Sequence, residues 1–328
     1  MPALTRLIPD RFIWILFATI ALASLFPVRG EGVAVAGVIS SAAVFVIFLL
    51  HGIRLPRHEI IAGIANWRVQ GSLFLFIFAA MPLAGLALAR LVDGWLPPLV
   101  AIGLLYCGVL PTTVQSATTY TSLAKGNVAV SVVSSAFNNL AAIIVTPTLF
   151  ALLAGSGGGV TLSWALAGRI ALILLLPFVI GQSVQRWVRP FVLRHPAGVK
   201  LVDQGAIAIA VYVAFSAAVV DGIWDRLSAG DFGILSAALA VMLVVAFGGA
   251  WALGGMIGAA RPDRVAMLFS GAHKSIAVGA PLAALLFPPA AAGMVLLPIL
   301  LYHLVQLILS AWLAPLLAGD ATVASGHH

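Results

Sequence analysis

Apolar residues run through this chain in long blocks, each close to the twenty or so that a helix needs to cross a bilayer. Ten blocks stand out, at 12–27, 33–50, 71–91, 96–122, 128–153, 163–187, 204–220, 232–257, 265–287 and 290–317. They lack the alternating, ten-residue pattern of a membrane barrel strand. The pattern therefore predicts an all-α integral membrane protein with ten transmembrane helices. Short connections leave no room for a separate soluble domain.

Two blocks are interrupted by polar residues. The fourth is apolar to Leu110 and then meets Pro111-Thr112-Thr113-Val114-Gln115-Ser116-Ala117-Thr118-Thr119. The ninth is broken by Ser270-Gly271-Ala272-His273-Lys274-Ser275. Its last apolar run, 276–287, makes only about 18 Å of helix and cannot cross alone. Unwound backbone is tolerated at membrane depth only where protein buries it or a wet cavity faces it. Two such breaks, meeting near the midplane, would make a polar site from helix ends and hydroxyls.

The loops fix an orientation. With the amino terminus inside, the inner segments carry Arg6, Arg11, Arg54, Arg57, Arg68, Lys125, Arg186, Arg189, Arg194, Lys200, Arg261 and Arg264. The outer ones carry only Arg29, Arg90 and Arg226, plus Arg169 at the edge of span 6. Positive charge stays inside, so both termini are expected in the cytoplasm. Ten spans divide into two fives, 1–153 and 163–318, and an odd number per half inverts the second half. That is the architecture of inverted-repeat carriers, whose binding sites lie at paired interrupted helices. The breaks fall in the fourth span of each half.

Composition narrows the class further. The chain has 328 residues, 62% hydrophobic and 8% charged, with mean hydropathy +1.14. A soluble domain carries about 25% charged residues, so a soluble enzyme and a disordered chain are both excluded. The net charge of +7 sits in the loops between spans, so it does not point to nucleic acid. One cysteine, Cys107, makes no disulfide framework and no cysteine-rich metal site. No phosphate loop, metalloprotease helix, nucleophile elbow or dinucleotide fingerprint is present, so no enzyme activity and no cofactor are expected.

All ten carboxylates fall in loops, tails or span ends. That argues against a carboxylate cation site or an acid proton relay. The full charge well inside a span is Lys274, with His273 beside it. An intramembrane ionisable group is costly and marks a functional site by default; the bland alternative is a lysine capping the broken helix. In span 5, Ser131, Ser135, Asn138 and Asn139 fall near one helical stripe, as a site or as interhelical glue. His303 and Gln306 of span 10 read as packing hydrogen bonds. Gly52, Gly103, Gly181, Gly248, Gly249, Gly254 and Gly255 read as close-packing positions.

Several motifs carry a resemblance. They are Phe48-Leu49-Leu50-His51-Gly52 ahead of Arg54-Leu55, Met81-Pro82, Leu123-Ala124-Lys125-Gly126-Asn127-Val128-Ala129, Thr146-Pro147, and Phe269-Ser270-Gly271-Ala272-His273-Lys274-Ser275. With them the chain resembles the bile acid:sodium symporter superfamily, and most of all its bacterial SBF-like, or CPA-like, branch. The resemblance covers nearly the whole chain. It implies a panel domain of spans 1, 2, 6 and 7, and a core domain of the other six, with spans 4 and 9 crossing at their breaks.

In the sodium-coupled members two sodium ions sit behind that crossing. Ser116 matches the serine of their first site, Ala117 or Thr118 stands for its asparagine, and Ser131 and Ser135 match its span 5 hydroxyls. The glutamate shared by both sites aligns with Phe269. The glutamines of the second site align with Ile77 and His273, and a following asparagine aligns with Lys274. Most sodium ligands are thus missing, and no metal is expected here. A lysine in the break can supply the missing positive charge, aimed at carbonyls and at the hydroxyls of Ser116, Ser131 and Ser135.

The functional expectation is a secondary carrier of a small organic anion, monomeric or weakly dimeric in the bilayer. The anion follows from a cavity with an ammonium, helix amino ends and no carboxylate. Its site would draw on Thr112, Thr113, Gln115, Ser116, Thr118, Ser131, Ser135, Asn138, Asn139, His273, Lys274 and Ser275. Proton coupling, through Lys274 or His273, is the alternative to sodium that these residues leave. The competing reading is a membrane regulator or scaffold on the same fold that transports nothing.

Overall fold

The computed structural model describes residues 11–54, 67–155, 168 and 171–324. Among them the chain is helical, in the order α1 (Arg11–Leu25), α2 (Gly32–Arg54), α3 (Trp67–Leu91), α4 (Pro98–Val109), α5 (Val114–Leu123) and α6 (Val128–Ala154). Then follow α7, a π-helical turn Ala171–Leu175 leading into Leu176–Arg194, and α8 (Pro196–Val220). The last four are α9 (Ala229–Met256), α10 (Arg261–Ala272), α11 (Ile276–Leu286) and α12 (Pro289–Ala324). Six helices are long and apolar enough to cross a membrane: α2, α3, α6, α8, α9 and α12. A seventh span forms if α4 and α5, bent by 61° at residues 110–113, count as one.

Local chemistry sets these boundaries. Ser228 and Asp231 form a reciprocal capping box that starts α9: the Asp231 amide donates to Ser228 Oγ at 3.2 Å, and the Ser228 amide donates to Asp231 Oδ2 at 2.7 Å. Asn127 caps α6 by accepting from the Val130 amide at 3.2 Å. Proline stands in the first turn of α4, α8 and α10, where a missing N–H costs nothing. The two π-helical turns each end just before a Met81-Pro82 or Leu176-Pro177 step. There the Met81 amide reaches five residues back, to the Phe76 carbonyl, since Pro82 has no N–H to continue the regular ladder.

Some predicted boundaries move. The sixth block was expected over 163–187; residues 163–167, 169 and 170 lie outside the described ones, and the helix runs on to Arg194. The seventh begins at Pro196 instead of 204, because an amphipathic first turn hides from a purely apolar window. Asp203 therefore lies inside α8 rather than in a loop, where it pairs with Arg54 at 2.5 Å.

Packing gathers the helices into two sets, which an extensive contact of α8 with α12 joins. In one, α2 lies against α7 and α8, and α1 against α8. In the other, α3 packs on α4, α4 on α12, α9 on α10, and α5 on α6 and α10. Close approach at glycine knits each group. A Cβ at Gly52 would meet the Phe178 carbonyl, and one at Gly181 the Leu49 carbonyl, so α2 and α7 touch backbone to backbone. Gln182 donates to the Gly52 carbonyl at 2.7 Å and Gln185 to the Ile53 carbonyl at 3.1 Å, closing the end of α2. In the second group, Gly85 would meet the Leu104 carbonyl and Gly108 the Met81 carbonyl, each at 2.7 Å. Gly103, Gly249, Gly254 and Gly255 are also crowded, whereas Gly248 faces open space and does not pack as expected.

Candidate functional site at the two helix breaks

The break between α4 and α5 leaves the last carbonyls of α4 without helical partners. The break between α10 and α11 supplies them. Lys274 Nζ donates to the carbonyl oxygens of Gly108 and Leu110, 2.8 Å from each. The carboxyl end of a helix carries partial negative charge, so an ammonium is the natural partner. The lysine is fully buried, and neither contact is a carboxylate.

The partnership runs both ways. The Ser275 amide donates to the Pro111 carbonyl at 2.9 Å. Thr113 Oγ1 donates to the Lys274 carbonyl at 3.2 Å, an acceptor shared with Gln306 Nε2 at 3.2 Å. Gln306 Oε1 in turn accepts from the Lys274 amide at 2.8 Å. Each break thus satisfies backbone groups that the other exposes, and one glutamine of α12 pairs with both the N–H and the C=O of Lys274. In lipid an orphaned backbone group costs several kcal/mol, which is why these bonds matter more than their number suggests.

His273 links three elements. Its Nδ1 lies 2.8 Å from Ser116 Oγ of α5, and its Nε2 lies 2.7 Å from Ser310 Oγ of α12. The rings of Tyr120, Phe247 and Phe269 surround it. Phe269 and Ile77 are both fully buried. Ile77 sits in the π-helical turn of α3, in an apolar cluster with Phe78 and Ala142. These side chains fill their positions with hydrocarbon, which offers no oxygen to a cation.

The α6 stripe contributes unevenly. Asn139 Nδ2 donates to the Thr112 carbonyl at 2.8 Å, bracing the first break from behind. Ser131 Oγ lies 3.2 Å from Ser270 Oγ and 3.5 Å from Thr118 Oγ1. Asn138 turns back to the Ser134 carbonyl at 2.7 Å. Thr112 Oγ1, Ser134 Oγ, Ser135 Oγ and Asn138 Oδ1 are buried without a hydrogen-bond partner in the protein. Such groups call for internal water, since each costs about 1–3 kcal/mol unpaired. Of the hydroxyls expected around the ammonium, Ser116 meets His273, Ser131 meets Ser270 and Ser135 meets no protein group; Lys274 binds backbone instead.

The amino ends of the second half-helices differ. Ser275 Oγ caps α11 by accepting from the Val278 amide at 3.3 Å. Thr113, at the start of α5, spends its hydroxyl on Lys274 and caps nothing. The first turn of α5 therefore has no side-chain cap. Beyond it Gln115, Thr119 and Ser122 are exposed along one stripe, and with Thr118, Val114, Leu123, Val128 and Val132 they line an open groove of about 480 Å³ between α5 and α6.

The site also takes in Tyr302, His303, Gln306 and Ser310 of α12, of which sequence assigns His303 and Gln306 to packing alone and does not single out the other two. Tyr302 donates to the Ala272 carbonyl at 2.7 Å, at the end of α10. The signal was present: His303, Gln306 and Ser310 recur on one face of an otherwise apolar helix.

A model of the SBF-like CPA transporter family matches residues 10–319. A protein of Pseudomonas aeruginosa, named uncharacterized protein PA2026, is 37% identical over 309 residues, covering 94% of this chain and 93% of that one. YfeH of Escherichia coli K12, which carries a provisional symporter name, is 36% identical, covering 93% and 92%. The sodium/bile acid cotransporter 7 of Mus musculus is 28% identical over 291 residues, covering 84% and 82%.

Proposed function

The chain belongs to the SBF-like CPA transporter family, and from that premise we propose that it is a sodium-independent secondary transporter of an organic anion. It works by alternating access on ten spans in two inverted halves, 1–153 and 163–318. Spans 4 and 9, α4 with α5 and α10 with α11, cross at their breaks. Both termini face the cytoplasm of a bacterial inner membrane.

One observation carries the sodium-independent reading: the Lys274 ammonium, buried against the carbonyls of Gly108 and Leu110. The covalent cation supplies the positive charge that a bound ion would otherwise bring to the end of α4. A second cation nearby would be repelled by several kcal/mol at an effective dielectric near 20. Hydrocarbon at Ile77 and Phe269 supports the same reading. The driving ion is then the proton, exchanged at the break. The anion is held by the uncapped amino end of α5 and by the hydroxyls and amide of Thr118, Thr119 and Gln115.

Uptake into liposomes tests this. Labelled bile acids, sulfated steroids and carboxylates are offered with sodium or choline outside, with and without an imposed pH gradient. Uptake that is equal in choline and rises with the gradient supports the reading. Strict sodium dependence overturns it. Folded protein that moves none of these anions turns the argument toward the scaffold alternative.

A further inference from the structure

The two packing groups meet mainly along one line, where α8 lies against α12 and α11. At that line Gly293 of α12 faces α8. A Cβ on Gly293 would lie 2.6 Å from the Ala218 methyl and 2.8 Å from the Ala214 carbonyl oxygen. A backbone oxygen in a helix cannot step aside, and here only the Ala218 methyl stands between the two helix backbones. Beside the contact lies a cavity of about 320 Å³, lined by Ser40 of α2, Ala214 of α8, and Pro281 and Ala292 of α11 and α12. Both groups contribute walls to it.

The opposite end of the molecule is different. There α5 exposes Gln115, Thr119 and Ser122 to an open groove that α5 and α6 line, together with Val114, Leu123, Val128 and Val132. Polar side chains in a row at membrane depth need water rather than lipid. Gly293 follows the turn between α11 and α12, whereas Ser122 precedes the Lys125 turn between α5 and α6. The distribution of Lys and Arg puts these two turns on opposite sides of the membrane, the Lys125 turn inside.

We propose that the contact of Gly293 with Ala214 and Ala218 is the outer closure of the carrier. The inference rests on the carrier reading and adds to it a named closing surface. Glycine is needed because closure brings the α12 backbone onto the α8 backbone. Any larger residue at 293 holds the two groups apart on the outer side, opens the cavity at Ser40 and shifts the population toward the outward-open form.

The test uses Ser40→Cys and, separately, Ser122→Cys, each in a Cys107→Ser background, with a membrane-impermeant maleimide. Intact cells report the outer side and inside-out vesicles the inner side. Gly293→Leu should raise outside labelling at position 40 about tenfold or more and slow inside labelling at position 122. Ala218→Leu reaches the same surface from α8 and should act alike. Gly293→Ala adds one methyl and should give a smaller shift of the same sign, which keeps the test open if a leucine variant fails to fold. Unchanged labelling at position 40 in the folded variants overturns the closure. Transport assayed on the same preparations separates the two ideas. A parent protein that moves no solute, while position 40 still responds, ends the carrier reading and leaves the closing contact standing.

Discussion

Lys274 and Leu110 are 164 residues apart, yet the ammonium of one lies 2.8 Å from the carbonyl oxygen of the other. The same nitrogen reaches Gly108 in the last turn of α4, so a single side chain caps a helix in the other half of the molecule. A capping lysine normally sits in the helix it caps, at the surface, where the effect is a fraction of a kcal/mol. Here the pair is buried, and removal of the charge leaves carbonyls with nothing to accept from.

Lys274→Ala should therefore lower the melting temperature in detergent markedly, by an amount consistent with two buried carbonyls left unpaired at about 1–3 kcal/mol each. Lys274→Arg should not recover the parent value, because a planar fork cannot follow the two carbonyls as an ammonium does. An alanine variant that melts within about 1 °C of the parent would show the lysine to be dispensable for the junction.

Replacing sodium by choline should change uptake by no more than about twofold, which corresponds to roughly 0.4 kcal/mol. Phe269→Glu, which places a carboxylate in α10 beside His273, should pair with that ring instead of creating sodium dependence. Saturable stimulation of the parent by sodium would show that oxygens elsewhere in the core hold the ion.

His195 lies between α7 and α8, exposed, in a turn expected inside. In a Cys107→Ser background, His195→Cys should resist an impermeant maleimide in intact cells and react in inside-out vesicles. Fast labelling in intact cells would invert the orientation argued from Lys and Arg.

Glycines divide into two kinds that the same melting assay separates. Gly108→Ala must displace the Met81 carbonyl 2.7 Å away, and should destabilise by a few kcal/mol as an overpacked junction does. Gly248→Ala meets nothing within 4 Å inside α9 and should be neutral or gain up to about 1 kcal/mol, since alanine favours helix. Equal losses at both positions would mean that helix propensity has no part in the result.

What the sequence made legible was pattern. Helix breaks at Pro111 and His273 followed from polar residues inside apolar blocks, and Lys274 from its charge. The asparagine at 139 followed from helical spacing, though not its partner, the Thr112 carbonyl. Partners were hidden because most of them are backbone carbonyls, which every residue carries and no pattern distinguishes. Ser135 illustrates the limit: spacing put it beside Ser131, but its hydroxyl meets no protein partner while Ser131 finds Ser270. The seam at Gly293 was equally invisible, since a glycine among alanines in an apolar block gives no sign of what it faces.

The reciprocal bonding of the two breaks also bears on how the molecule is made. When the first half has entered the bilayer, the carbonyls of Gly108, Leu110 and Pro111 have no donors, because those donors are on Lys274 and Ser275, still to be synthesised. The first break must wait, wet or shielded by insertion machinery, until α10 and α11 arrive. Assembly of the core is thus a single late event, and a ribosome that stalls before residue 274 leaves a half-membrane protein with an open wound, an early target for quality-control proteolysis.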